Sequence, residues 1–317
     1  MPTRILTASQ VTSLVEVDHA FEPLREGFRR SVEGGIPGQR VVTQLPGTGT
    51  ATALIPGLLA GVPAYTVKVN AKFPDATPAL RGVVALHSLH DGELLALLDS
   101  ASLTAWRTGL TAALAIDALA APEATSVAFV GAGAQATVVL LGLCRLRKLT
   151  RVVVCDLDHE RTRAFIGRHV PEGVPALSAP DPVAAAHLAD IVVLATWSRV
   201  PLLGWDDLRP GQHLTTLGAD EVGKVELAAE VLRRGWLVVD DVELVARSGA
   251  VANAGLSSAA IDATLTQVLG GNATPPGADR VTVYAPVGLP WQDLALAWPL
   301  YQAAQATGVG LDVDMLG

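Results

Sequence analysis

The chain has 317 residues, half of them hydrophobic and 17% charged, with a net charge of -8. That is chain enough for one large domain or two ordinary ones, and apolar enough to bury a sizeable core, which excludes extended disorder. The acidic balance argues against a nucleic-acid partner and against attachment to an anionic membrane, since both need a basic face. Two cysteines, Cys144 in a helical pattern and Cys155 in an apolar strand, read as buried thiols of a reducing compartment. No Cys/His cluster has metal-ligand spacing, so no metal is expected. Met1 to Gln10 lacks the apolar core of a signal peptide, and stretches such as Ala51–Tyr65 are too short and too broken by Gly and Pro to span a bilayer. The expectation is a soluble, cytoplasmic protein with no membrane partner.

Ser9 to Ser31 carries helical spacing through Val11, Leu14, Val15, Val17, Ala20, Phe21, Leu24 and Phe28, with Ser9 as the N-cap. From Arg40 the signal changes to short β-rich runs, Arg40–Leu45, Thr50–Leu54, Ala64–Phe73, Gly82–Leu89 and Leu94–Asp99. Pro46-Gly47, Gly61, Pro74-Asp75 and Asp91-Gly92 punctuate them. Sequential strands with short turns imply an antiparallel sheet. A helix follows over Ser102–Leu119, and Ala121-Pro122-Glu123 breaks the chain. Beyond the break the rhythm is strand, helix, strand, helix. Apolar strands are expected at Ser126–Val130, Arg151–Cys155, Ile191–Thr196, His213–Leu217 and Trp236–Val239. Helices are expected near Thr137–Leu146, His159–Arg168, Pro182–Leu188 and Val225–Leu232. This alternation describes a parallel sheet covered on both faces. Leu289–Thr307 is again helical.

The strand Ser126–Val130 runs straight into Gly131-Ala132-Gly133-Ala134-Gln135-Ala136 and then a helix. Gly131 permits the sharp turn out of the strand. Gly133 lets a pyrophosphate approach the backbone, and Ala136 lets the helix pack close on the sheet. The free N–H groups and positive dipole end of the helix then meet the phosphates. The second strand ends at Asp156, placed to accept hydrogen bonds from the adenosine ribose hydroxyls and to repel a 2′-phosphate. The cofactor read here is NAD rather than NADP; without a ligand, Asp156 is an ordinary strand-end acid. In the strand Ala64–Phe73, alternation puts Thr66, Lys68, Asn70 and Lys72 on one face. Pattern alone reads that face as a solvated polar one. Arg107 sits in an otherwise apolar helix, where a buried guanidinium requires a partner.

Three further segments narrow the chemistry: Leu103-Thr104-Ala105-Trp106-Arg107-Thr108-Gly109, then Thr216–Asp220 with Gly223–Leu227, then Val281–Asp293. In this order around a dinucleotide loop they resemble the ornithine cyclodeaminase/mu-crystallin family, from about Arg40 to the final helix. The resemblance implies an α/β chain. A Rossmann domain with a parallel sheet (119–294) is inserted into an α+β substrate-binding and dimerisation domain with a largely antiparallel sheet (1–118 plus 295–317). It also implies a homodimer. Arg40, Lys68 and Arg107 match the positions that hold the substrate α-carboxylate, a task suited to guanidinium forks and an ammonium. Lys68 also matches the catalytic lysine and Asp220 the acid/base carboxylate. Thr108, Ala195, Thr196, Leu217 and Gly218 fall at cofactor-contacting positions, and Val287 and Gly288 at the substrate pocket.

The activity implied is NAD-dependent oxidoreduction at the CH–NH2 or C=N group of a small α-amino or α-imino acid. The alternatives are a cyclodeaminase of the ornithine/lysine type and a non-catalytic crystallin-like binding protein. Cyclodeaminases of the family carry a glutamate just before a Met-Pro step. Here the segment is Ala53-Leu54-Ile55-Pro56, with Ala53 at the glutamate position. An ammonium entering the pocket would lack its counter-charge, which turns the reading away from ornithine. The family's asparagine after the lysine strand is also absent, with Thr77-Pro78 near its place.

Overall fold

The computed structural model describes residues 2–30, 41–47, 50–73, 76, 78–277 and 279–315, with Arg30 by its backbone only. In chain order the elements are β1 (Thr3–Leu6), α1 (Ala8–Leu14), α2 (Val17–Arg30), β2 (Val41–Gln44), β3 (Ala51–Leu58), β4 (Ala64–Lys72), β5 (Leu80–Ser88), β6 (Leu94–Asp99) and α3 (Ser100–Leu119). Then come β7 (Ser126–Val130), α4 (Ala134–Leu146), β8 (Arg151–Cys155), α5 (His159–His169), β9 (Ala176–Ser178), α6 (Pro182–His187), β10 (Ile191–Leu194), β11 (Arg199–Leu203), β12 (His213–Thr216) and β13 (Val225–Leu227). The chain closes with α7 (Ala229–Arg234), β14 (Trp236–Val239), α8 (Val242–Arg247), α9 (Ala250–Asn253), β15 (Ala263–Thr264), α10 (Leu265–Leu269), β16 (Thr282–Tyr284), α11 (Pro290–Thr307) and β17 (Leu311–Val313).

Two compact units result: Met1–Thr108 with Leu289–Gly317, and Gly109–Gly288. Their limits fall inside α3 and just before α11, whereas the sequence suggests 118/119 and 294/295. Helix α3 also starts two residues before the expected Ser102. Asp99 extends α3 back to Ser100 by accepting from the N–H and hydroxyl of Ser102 at 2.8 and 2.6 Å.

The first unit is built on a seven-stranded sheet, ordered β17-β1-β6-β5-β4-β3-β2. Every pairing in it is antiparallel except β1 with β6. One face is covered by α11, which also packs on α2. The expected single helix over Ser9–Ser31 is two helices. Thr7, not Ser9, caps α1, and the chain turns extended at Val15 before α2 begins. Ser31, Arg40 and the turn Pro74-Asp75 lie outside the described residues. Strand β3 runs four residues past the expected Leu54, because the fixed φ of Pro56 is compatible with extended backbone.

The second unit is built on an eight-stranded parallel sheet, ordered β15-β14-β16-β12-β10-β7-β8-β9. Four of its strands, β7, β10, β12 and β14, are buried at every position, and β10 and β14 are apolar throughout. That is the signature of a sheet with helices on both faces. The chain leaves β7 toward β8 on one side and reaches β10 on the other. The strand order therefore reverses at β7, where such sheets open a crevice beyond their carboxyl ends. One expectation fails here: Val225–Leu232 is not a helix but β13 followed by α7. Strand β13 pairs with β11 in a separate two-stranded sheet, and this pairing turns Glu226 into the interior.

Candidate active site

In the second unit, β7 ends at Val130 and the chain turns through Gly131 at φ +95, a conformation that favours glycine. A Cβ on Gly131 would lie 2.5 Å from the carbonyl oxygen of Ala195, so this turn packs directly on the loop after β10. Gly133 is the N-cap of α4 and supplies no side-chain cap; a Cβ there would meet nothing within 4 Å. The first-turn N–H groups of α4 thus start beside open space, and Ala136 is fully buried under the helix. A 13-residue helix offers an anion uncapped donors and its positive dipole end at this place. Asp156 follows β8. Its Oδ2 accepts from the Ala132 N–H at 2.8 Å and its Oδ1 from the Asp158 N–H at 2.9 Å. The carboxylate so stands at the phosphate loop itself. These features fit a dinucleotide: an uncapped helix start, open space over Gly133, and an acid beside the loop.

Beyond the reversal point, the ends of β10 and β12 carry Ala195, Thr196, Leu217 and Gly218. Ala195 donates to Val130 O at 2.9 Å and Leu217 to Leu194 O at 2.8 Å, so both loops leave the sheet side by side. Asp220 follows, with its Oδ1 2.8 Å from Lys224 Nζ. The Lys224 ammonium is nearly buried. It also sits 3.8 Å from Glu221 and 5.0 Å from the centre of the Trp197 ring. The Val287 and Gly288 N–H groups both donate to the buried carboxylate of Asp240, at 3.1 and 2.5 Å. Burial pushes the Asp240 carboxyl up, while these backbone donors pull it down.

In the first unit, Lys68 lies mid-strand in β4, opposite Ile55 of β3 and Val84 of β5. It is 2% exposed, so the solvated-face reading of its strand is overturned. Its Nζ stands 2.5 Å from Oδ2 of Asp293, in the first turn of α11, itself 1% exposed. Arg107 approaches the same carboxylate from α3, with Nε 3.5 Å from Oδ1, and its Nη1 donates to Gln292 Oε1 at 3.2 Å. Two cations therefore share this carboxylate. Around them the buried Thr66 Oγ1, Asn70 Oδ1, Thr104 Oγ1, Thr108 Oγ1 and Gln292 Nε2 have no hydrogen-bond partner among the described residues. Buried polar atoms are ordinarily paired, so such a group fits the neighbourhood of a polar ligand or water. Arg40 lies outside the described residues, as does Thr77. Ala53 pairs with Asn70 across the β3–β4 ladder and brings no carboxylate to it.

The structure thus joins Lys68 to Arg107, the Gly131 turn to Ala195, Asp156 to Ala132, and Val287 to Gly288. It adds residues to which no role attaches from sequence: Asp293, Gln292, Lys224, Asp240 and Glu226. Gln292, Asp293, Lys224 and Glu226 stand inside the motifs quoted above. The available signal was a charged residue within an apolar run, which must find a partner once buried. Among the described residues, no group of three or more His, Cys, Asp or Glu is placed to hold a metal ion, and no helix is long and apolar enough to cross a membrane.

The chain belongs to the ornithine cyclodeaminase/mu-crystallin family, whose model matches residues 1–308. Over 98% of both chains it is 29% identical to an alanine dehydrogenase of Archaeoglobus fulgidus. It is 27% identical to a Δ1-pyrroline-2-carboxylate reductase of Bacillus cereus, covering 98% of this chain and 99% of the relative. A solved archaeal alanine dehydrogenase dimer with bound NAD superposes with a TM-score of 0.91 at 26% identity, covering both chains completely.

Proposed function

We propose that this protein is an NAD-dependent oxidoreductase acting on the CH–NH2 or C=N group of a small α-amino or α-imino acid. The observation that carries the reading is the buried cluster of Lys68, Arg107 and Asp293, whose ammonium and guanidinium are groups suited to gripping a carboxylate. Lys68 and Arg107 bind that carboxylate and orient the α-carbon, with Arg40 as a third contact. Gln292 holds the Arg107 guanidinium in place. The Gly109–Gly288 unit is the NAD-binding unit, and the other binds substrate and dimerises. Gly131–Ala136 hold the pyrophosphate, Asp156 the adenosine ribose, and Thr108, Ala195, Thr196, Leu217 and Gly218 complete the cofactor site. Bound NADH supplies hydride to an imine carbon, and NAD accepts it in reverse. Asp220 moves the proton at the substrate nitrogen, and Lys224 holds its carboxylate in position. Val287 and Gly288, fixed by Asp240, line the substrate pocket.

A homodimer is supported by the sheet of the first unit. Val41, Leu54, Val69 and Val83 stand in register across β2, β3, β4 and β5. They are 58%, 46%, 39% and 42% exposed, a continuous apolar row of the kind that marks an interface. The missing carboxylate at Ala53 supports redox chemistry over ornithine cyclisation.

The test is NADH oxidation in the presence of cyclic imino acids, and of keto acids with ammonia. Lys68→Ala is expected to abolish turnover while NADH still binds. Wild-type turnover in that variant would sink the assignment.

A further inference from the structure

Glu226 is 1% exposed and receives four hydrogen bonds, all from neutral donors. Its Oε1 accepts from the Thr196 N–H at 2.6 Å and the Thr196 hydroxyl at 2.7 Å. Its Oε2 accepts from the Thr216 hydroxyl at 2.7 Å and the Gly218 N–H at 2.8 Å. Thr196 follows β10, whereas Thr216 ends β12 and Gly218 follows it. One carboxylate therefore ties two neighbouring strand ends together, and it arrives from a third element, β13. The fit is close. A Cβ on Gly218 would fall 2.5 Å from Oε1 and clash with the Thr196 carbonyl oxygen, so the loop closes there only as glycine. Thr196 in turn lies against the phosphate loop, its Cγ2 3.2 Å from a Cβ built on Gly131.

The chemistry of the acceptor is narrow. Four donors need two oxygens with free lone pairs on both sides, which an ionised carboxylate has. Glutamine would turn an NH2 group onto two of the donors. Aspartate would fall one methylene short. Burial raises the Glu226 carboxyl above its ordinary range, and the four donors only partly offset this.

The strand ends that Glu226 joins lie on one side of the reversal at β7; β8 and Asp156 lie on the other. A dinucleotide laid across such a reversal divides its two nucleotide halves between the two sides. With Asp156 on the adenosine side, the β10 and β12 ends belong to the nicotinamide half. We infer that Glu226 is a positioning residue for the nicotinamide half of the cofactor, setting the Thr196 and Gly218 backbone without touching the cofactor itself. This rests on the NAD-binding reading of the unit.

The experiment measures NADH and ADP binding to wild type, Glu226→Gln and Thr216→Val in the full chain, by fluorescence and calorimetry. Glu226→Gln is expected to weaken NADH at least tenfold and to leave ADP, which uses only the Gly131 and Asp156 side, within twofold of wild type. Thr216→Val removes one of the four donors and is expected to weaken NADH about threefold with ADP unchanged, which keeps the test alive if Glu226→Gln does not fold. Equal weakening of both ligands would make Glu226 a general structural residue and overturn the inference. Unchanged NADH binding in both variants would also overturn it. Wild-type protein that binds neither ligand would instead defeat the cofactor reading on which the inference stands.

Discussion

Asp293 decides how the Lys68 cluster holds together. Removing one partner of a buried ion pair leaves uncompensated charge in the interior, at a cost of about 3–5 kcal/mol. Asp293→Ala, which removes the carboxylate that Lys68 and Arg107 share, is therefore expected to lose stability on that scale in urea unfolding, and a change below 1 kcal/mol would contradict the pairing. In the proposed cofactor site Asp156 is the residue that would choose between NADH and NADPH. A carboxylate beside the Ala132 N–H would repel a 2′-phosphate, so Asp156→Ser is expected to narrow the preference for NADH over NADPH at least tenfold, read as the ratio of kcat/KM values. At this scale the sequence was half legible. Lys68, Arg107, Asp156 and Asp220 stand out by resemblance and by the position of the loop. Asp293 and Glu226 do not, because a carboxylate in an apolar run announces only that it needs a partner. The partner comes from a strand or loop distant in the chain.

Long, strongly patterned elements were readable directly: β7, β8 and β14 have the expected bounds, and α3, α4 and α11 differ by a few residues. Short strands were not. Thr282–Tyr284 lies within a quoted motif, yet three residues carry no period until β12 and β14 flank them. The Val225–Leu232 segment failed for a related reason: its apolar spacing suits a helix, but β11 and the donors around Glu226 hold its first residues extended. The β12–β16 pair carries its own pH dependence. His213, fully buried, has its ring nitrogens 2.8 and 2.9 Å from the hydroxyls of Thr282 and Thr215. Burial, aided by the Arg147 charge, pushes its pKa down to about 3. Below the usual histidine range the unfolded chain binds a proton that the folded one refuses, so stability falls as pH drops from about 6.5 toward 3. Between pH 7.5 and 4.5, wild type should lose about 2–3 kcal/mol more than His213→Gln, at about 1.4 kcal/mol per pKa unit. Parallel losses in the two proteins, followed by urea unfolding, would refute this.

For the whole molecule, the two sheet types and their order along the chain were legible from the switch between short turn-separated runs and strand–helix alternation. The first unit's sheet carries a consequence for assembly. An exposed apolar row across four strands is costly in water and would be covered if two copies met through it, as the proposed homodimer requires. Val69→Lys places a charge in the middle of that row. Light scattering should find a dimer for wild type and a monomer for the variant; a dimer in both would move the interface elsewhere. The activity itself is tested most directly by a balance sheet of cofactor and nitrogen. Purified protein is incubated with NADH and a cyclic or open α-imino acid, and with NAD and ornithine or lysine. Cofactor absorbance and free ammonia are followed together. The account predicts one NADH consumed for each amino acid formed from the imine, and no ammonia released from the diamino acids. Ammonia released from ornithine or lysine with no net change in NADH, and no NADH consumed with any imine, would contradict it.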